Sequence, residues 1–305
     1  MPQTRDHNHS PRKWRRRIGV ALLALGVATL LILGCALKIQ AKILTTVWRN
    51  PVNRTPAEFN LSYQDVTLTA ADGTRLAAWY LPGSRPQAII LVHGIHANRE
   101  ATLPIIPMLA EAGYHILAVD LRGHGQSSGH TLSYGYYEAL DVQAAVDYVL
   151  AVPAVEQVGA IGYSLGGAAV ARAAVQDERL TAIVLQSTFS SLPDAIDDSF
   201  AAYTHWSIGP LEPLVVLATE LEIGISAEQI NSARDLAMLS PRSLLIIHGQ
   251  NDPLFPVQQA YKMYEAAHSP KSLWVVEGMG HEYPFVEKAE YQRRVLAFFR
   301  EAFGN

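Results

Sequence analysis

Cysteine is almost missing from this sequence: Cys35 is the only one among 305 residues. No intrachain disulfide can form, and the sign of compartment that paired cysteines give is lacking. Paired Cys or His spacings of the zinc-binding kind are missing too, as is a glycine loop of the phosphate-binding pattern opening a helix after a strand. Zinc sites and phosphate cradles need those patterns, so no metal and no cofactor are expected. Internal repeats and low-complexity tracts are absent, and Gly and Pro are scattered as turn punctuation, which points to one large domain behind an N-terminal appendage. Basic residues are scarce outside that appendage. The first 42 positions hold eight basic and one acidic residue, leaving 16 basic against 27 acidic, a net of −11. A domain of that sign excludes nucleic acid as a partner. What is plentiful is apolar residues, 49% of the chain, enough for a large buried core.

Charge is wholly absent from "IGVALLALGVATLLILGCAL", Ile18 to Leu37. Twenty helical residues at about 1.5 Å each span the roughly 30 Å hydrocarbon layer of a bilayer, and no polar face interrupts them. The expected order is a basic cytoplasmic N-terminus (1–17), a transmembrane helix or signal anchor (18–37), a juxtamembrane segment (38–58) and a domain (59–305). A cleaved signal peptide has a shorter apolar region, so length favours an uncleaved anchor. The run Leu31-Ile32-Leu33-Gly34-Cys35 offers an alternative, a loose bacterial lipoprotein box with Cys35 as the lipidated residue. Six Lys and Arg precede the span, and four follow it closely: Lys38, Lys42, Arg49 and Arg54. The positive-inside rule then places the N-terminus in the cytoplasm and the domain on the outer side of the membrane.

From about Phe59 the chain alternates extended apolar runs with helical patterns. "LSYQDVTLTA" and "TRLAAWYLP", split by Asp72-Gly73, read as an antiparallel pair. "QAIILVH", "YHILAVD", "EQVGAIGY", "TAIVLQS", "SLLIIHG" and "SLWVVEG" read as strands buried on both faces of a parallel sheet. Helical stretches fall near 98–112, 135–151, 165–177, 256–268 and 287–302. Such alternation predicts a mostly parallel eight-stranded α/β sheet with helices on both faces.

Ligands bind such sheets at the carboxyl ends of the strands, and that rule sorts the candidate residues. The pattern G-x-S-x-G arises by chance in about one chain in ten of this length, and it occurs here twice, around Ser127 and around Ser164. Ser164 stands between "QVGAIGY" and the small-residue run "LGGAAVARAAV", the strand, sharp turn and helix that an exposed nucleophile needs. Ser127 lies well past its strand and reads as a loop serine. A serine attacks a carbonyl only with a base to take its proton and donors to hold the oxyanion. Asp252 and His281 each follow a buried strand, and backbone N–H groups of Ile95 and Leu165 are placed to bind an oxyanion. Asp120 and Asp198 are rivals for the acid, Asp120 being better suited to bracing the Arg122-Gly123 loop. His93, His96, His124, His130 and His248 read as structural.

Five motifs in order, His93-Gly94, Asp120 to Ser127, Gly162 to Gly167, His248 to Asp252 with Pro256, and Gly278 to His281, resemble the α/β-hydrolase superfamily, in particular serine hydrolases grouped with the serine aminopeptidase S33 and monoglyceride-lipase-like domains. The resemblance covers about residue 60 to the C-terminus. It implies an α/β-hydrolase fold and cleavage of an ester, thioester or amide through an acyl-enzyme on Ser164, without metal or organic cofactor.

Residues 190–241 form a connection too long for a simple loop and are expected to make a small cap. Trp206, Ile208, Leu211, Leu214, Val215, Val216 and Leu217 could line an acyl pocket, and a helix merely covering the sheet fits them equally well. Glu212, Glu220 and Glu222 offer an amine-binding anion, or simple surface solvation. Esterase or lipase-like action on a small-molecule or lipid-like acyl substrate is the leading expectation, with membrane attachment and no obligate protein partner. Aminopeptidase or amidase action on the same residues, and a tethered interaction module without catalysis, are the alternatives.

Overall fold

The computed structural model describes residues 11–281 and 288–304; residues 1–10 of the basic N-terminus lie outside them. Helix α1 runs from Pro11 to Thr45. It continues past Leu37 because Lys38–Thr45 contains neither Gly nor Pro. Its apolar stretch is not buried against the rest of the chain.

Eight strands follow: β1 (Gln64–Thr69), β2 (Arg75–Leu81), β3 (Gln87–Val92), β4 (His115–Val119), β5 (Gln157–Tyr163), β6 (Leu180–Gln186), β7 (Ser243–Gly249) and β8 (Lys271–Val276). They join in one sheet of order β1-β2-β4-β3-β5-β6-β7-β8. The β2 strand is antiparallel to both neighbours, and all pairings from β4 through to β8 are parallel. All eight fall where the apolar runs predict them. The central strand β3 is buried along its whole length, which is why it reads as a continuous apolar run rather than an alternating one.

Helices α2 (Ile106–Glu111), α3 (Glu138–Leu150), α4 (Leu165–Gln176), α8 (Gln258–Ala266) and α9 (Lys288–Ala302) cover the sheet. On one face Ile90 and Val92 pack with Val142 and Val146 of α3 and Val170 of α4. On the other, Ile89 and Leu91 pack with Leu109 of α2 and Val295 and Phe299 of α9. The stretch expected as one helix over 98–112 is two pieces, a 3₁₀ turn at Arg99–Thr102 and then α2. Pro104 and Pro107 explain the break, since neither can donate to a preceding carbonyl.

The cap holds three helices, α5 (Leu192–Thr204), α6 (Glu212–Ile223) and α7 (Ser232–Ala237). Ser191 caps α5 by accepting from the Asp194 N–H, and Gly224 ends α6 at φ 72°. Ile196, Ile208, Val215, Ile223, Ile225 and Ile230 form a separate apolar cluster, against which Leu37 and Leu44 of α1 also pack.

The segment after α1 lies along the domain. Thr46 bridges to Thr131, and the Leu132 N–H donates to Thr45 O at 2.9 Å. The Arg49 guanidinium donates to the carbonyls of Gly125 and Gly129, each at 3.0 Å, and to that of Ser127.

Candidate active site

In the sheet order β3 has β4 on one side and β5 on the other, so the crevice where α/β sheets bind ligands opens beyond the carboxyl ends of β3 and β5. The loop after β3 carries Ile95, and the turn after β5 carries Ser164. Both line one cavity of about 480 Å³ together with Leu165, within the range of small-molecule sites.

Ser164 occupies the turn between β5 and α4 with φ 51° and ψ −116°, a region that non-glycine residues rarely adopt and that persists only where the surrounding structure holds it. The turn is tight because its neighbours have no side chains. A Cβ on Gly162 would run into the backbone of Gly166, and one on Gly166 would meet the carbonyl oxygens of Val92 and His93. The Ser164 N–H is anchored to Gln186 O at 2.8 Å. The amides of Ile95 and Leu165 donate to no other described backbone group, leaving them available to a ligand.

Asp252 and His281 meet across the loops after β7 and β8. The His281 Nδ1 lies 2.8 Å from Asp252 Oδ2. Asp252 Oδ1 accepts from the amides of Leu254 and Phe255, both at 2.9 Å. The carboxylate is buried and the imidazole side chain is 20% exposed. With Nδ1–H given to Asp252, Nε2 is left as the basic nitrogen. Tyr163, next in chain to Ser164, sets the ring: its hydroxyl donates to His281 O and the two rings lie 5.3 Å apart. Phe255 packs edge-on from the other side at 5.2 Å. Among the described residues Ser164 and His281 share no hydrogen bond; such contacts are often long in an unliganded site and tighten with substrate.

The rival residues have other partners. Ser127 Oγ donates to Asp120 O at 2.6 Å and accepts from the Ala77 N–H at 2.9 Å. Asp120 is fully buried and accepts from the amides of Arg99 and Gln126 and from the Arg99 guanidinium, so it braces the loop. Asp198 accepts from Gln259.

The histidines near the β3 loop hold neighbouring loop backbone, the structural role their sequence context suggested. His93 donates from Nδ1 to Gly94 O at 2.7 Å, and its Nε2 accepts from the Leu121 N–H at 3.1 Å. His124 donates from Nδ1 to Arg122 O, and its Nε2 accepts from the His96 N–H at 3.2 Å. Both must be neutral to accept. Burial pushes His93 down to about 4 and His124 down to about 3. The Trp48 N–H donates to His96 Nδ1 at 3.3 Å, and the two rings stack at 5.2 Å.

The cap lines the cavity differently from the sequence expectation. Ile208 and Val215 do contribute, but Trp206, Leu211, Leu214 and Leu217 are exposed. The remaining cap wall comes from α5, through Ile196, Phe200 and Tyr203. Helix α6 turns one apolar face to the cap cluster, and its other, leucine-bearing face stays outside. Among the described residues no carboxylate lines the cavity: Glu220 accepts from the Ala227 N–H and Glu222 pairs with Lys42.

A family model for the alpha/beta hydrolase fold matches residues 87–211. The protein YfhR of Salmonella typhi is 30% identical over 236 residues, which cover 71% of this chain and 72% of that one. The chain belongs to the alpha/beta hydrolase superfamily. This hydrolase is also 27% identical over 226 residues to the protein bem46 of Schizosaccharomyces pombe, covering 71% and 70% of the two chains. Among solved structures, the esterase Pf2001 of Pyrococcus furiosus superposes with a TM-score of 0.70 at 26% identity, over 84% of this chain and 98% of that one. The family and the esterase neighbour support hydrolase activity.

Proposed function

We propose that this hydrolase is a membrane-anchored serine esterase, lipase-like in its choice of apolar acyl groups. The observation that carries the reading is the buried Asp252 carboxylate holding His281 at 2.8 Å beside the turn that presents Ser164. Ser164 Oγ bonds to the ester carbonyl carbon as its proton passes to His281 Nε2. The carbonyl oxygen takes up the negative charge, and the amides of Ile95 and Leu165 donate to it. Collapse breaks the carbon–oxygen bond, and His281 returns the proton to the departing alcohol. Water, deprotonated by His281, then releases the carboxylic acid and restores Ser164.

The cavity walls favour esters over aminoacyl amides. Phe189, Phe200, Ile196 and Leu254 suit an acyl chain, whereas an amine would need an anion, and Glu220 and Glu222 of the cap are engaged elsewhere. Anchoring through α1 is supported by its charge-free run, and by Ala41 and Thr45 near its end being buried. Leu37, the last residue of that run, packs on the cap cluster, so a chain cut after it would lose part of the folded body. The Lys and Arg excess before the run supports a cytoplasmic N-terminus and an outer catalytic domain.

The test is to treat the full chain in detergent with a fluorophosphonate probe and to locate the adduct by peptide mass spectrometry. Labelling at Ser164 that is lost in Ser164→Ala and strongly reduced in His281→Ala is expected. A folded chain that shows no labelling overturns the reading.

A further inference from the structure

The end of α1 does more than tether the domain. Gln40, Ile43 and Leu44 line the same cavity as Ser164, as does Trp48 just beyond the helix. Tyr134, another lining residue, donates from its hydroxyl to Leu44 O at 3.0 Å. Helix geometry fixes the depth of this wall. Gln40 to Leu44 sit about 5 to 10 Å past Leu37, the end of the charge-free run. The headgroup layer on each side of the hydrocarbon is roughly 5 to 8 Å thick. A helix that spans the bilayer over 18–37 therefore holds this wall of the cavity at headgroup level.

A second observation points the same way. Helix α6 packs against α1, with Lys42 paired to Glu222 at 3.2 Å. Val215, Thr219 and Ile223 form its buried face. Its outer face carries Leu214, Leu217 and Leu221, with Leu211 just before it, spaced three, three and four apart, and Leu221 is 77% exposed. Trp206 and Tyr203 at the end of α5, and Ile39 and Ile43 on α1, are exposed as well. One large apolar side chain in water needs no explanation, but a stripe of three on a helix that packs on a membrane span, with a fourth just before it, does. The span itself fixes what would cover it: a bilayer already surrounds α1.

We propose, on the strength of the esterase reading above, that the cap lies on the bilayer through this leucine stripe, so that the cavity opens onto the headgroup layer. The substrate is then a long-chain carboxylic ester resident in the same membrane. Its acyl chain runs between α5 and the last turns of α1, and Ile43 and Leu44 are chain-length determinants. The chemistry is the acyl transfer already described: the ester bond to the lipid alcohol breaks, the acyl group passes to Ser164, and water carries it off as the fatty acid.

The experiment uses the full chain in phosphatidylcholine vesicles. Its two probes are a water-soluble butyrate ester and a palmitate ester of a fluorogenic alcohol dissolved in the vesicles. Leu217→Glu/Leu221→Glu, which alters no lining residue, is expected to keep butyrate turnover and to lose palmitate turnover by about tenfold or more, the factor for withdrawing a leucine from apolar surroundings. Ile43→Trp narrows the cavity. Closing off space for about three methylenes, each worth roughly fourfold, lowers the ratio of palmitate to butyrate kcat/KM about sixtyfold.

An unchanged ratio in Ile43→Trp overturns the proposal. So does palmitate turnover that survives the double glutamate variant while that variant converts a dimer to a monomer, since the stripe would then bind a second copy. Butyrate turnover with labelled Ser164 but no palmitate turnover overturns this inference alone. No turnover of either ester and no labelling overturns the esterase reading as well.

Discussion

His124 makes a quantitative prediction because its imidazole is buried, neutral and attached to the loop that carries Ile95. Its Nε2 accepts from the His96 N–H, and burial holds its pKa at about 3. In an unfolded chain the same group titrates near 6.5. Below pH 6.5 the unfolded chain therefore binds a proton that the folded chain refuses. The stability contributed by neutral His124 is complete above pH 6.5 and drains away as pH falls toward 3. The slope is about 1.4 kcal/mol per pH unit, or about 3 kcal/mol between pH 6.5 and pH 4. His93, held at about 4, adds a parallel loss over the same window. His124→Gln puts a non-titrating amide oxygen in place of Nε2 and isolates one histidine's share. Denaturant unfolding of the full chain in detergent, followed by tryptophan fluorescence at half-unit steps from pH 7 to pH 4, should show the variant losing stability less steeply by about 1.4 kcal/mol per pH unit. Esterase activity of the variant should also persist to lower pH, because the His96 amide keeps an acceptor. Parallel stability curves for the two proteins would refute the reasoning.

Ser164→Ala should lower ester turnover by about a million-fold with unfolding unchanged, as measured by initial rates on a soluble ester. Asp252→Asn leaves the loop amides an acceptor but removes the charge beside His281 Nδ1, and a loss of about ten-thousandfold in kcat is expected with little change in KM. Gly166→Ala forces a methyl against the carbonyl oxygens of Val92 and His93. It should cost about 3 kcal/mol or more and show as a lowered thermal midpoint and loss of soluble expression. Arg49→Ala removes donors to the carbonyls of Gly125 and Gly129. A loss of about 1 to 3 kcal/mol is expected in denaturant unfolding.

The strands were legible because burial on both faces leaves a direct mark in composition: "QAIILV" has no side that can tolerate charge. Ser164 was separable from Ser127 for a similar local reason, since only Ser164 joins a strand directly to a run of small residues. The split of the helix expected over 98–112 turned on two prolines, whose effect outweighed the apolar spacing. The cap was harder. Leu211, Leu214 and Leu217 have the composition of a pocket lining, but the exposed face of α6 and the buried face of α5 are distinguished only by which side meets the cluster around Ile208 and Ile223.

By itself the sequence determined the eight strands, the turn that carries Ser164, the order in which Asp252 and His281 follow it, and the charge-free span ahead of the domain. Each is a local pattern, set by the side-chain periodicity and backbone preference of neighbours in the chain. Only the tertiary structure decided that Asp252 and His281 share a hydrogen bond, that His124 holds the His96 amide across 28 positions, and that Tyr134 reaches Leu44 across 90. Those contacts join segments far apart in the chain, and no local period encodes which of several polar groups a fold will bring together. The same limit hid the second role proposed for α1. A run without charge records apolar composition alone, whereas only packing shows that Gln40, Ile43 and Leu44 just past it wall the cavity.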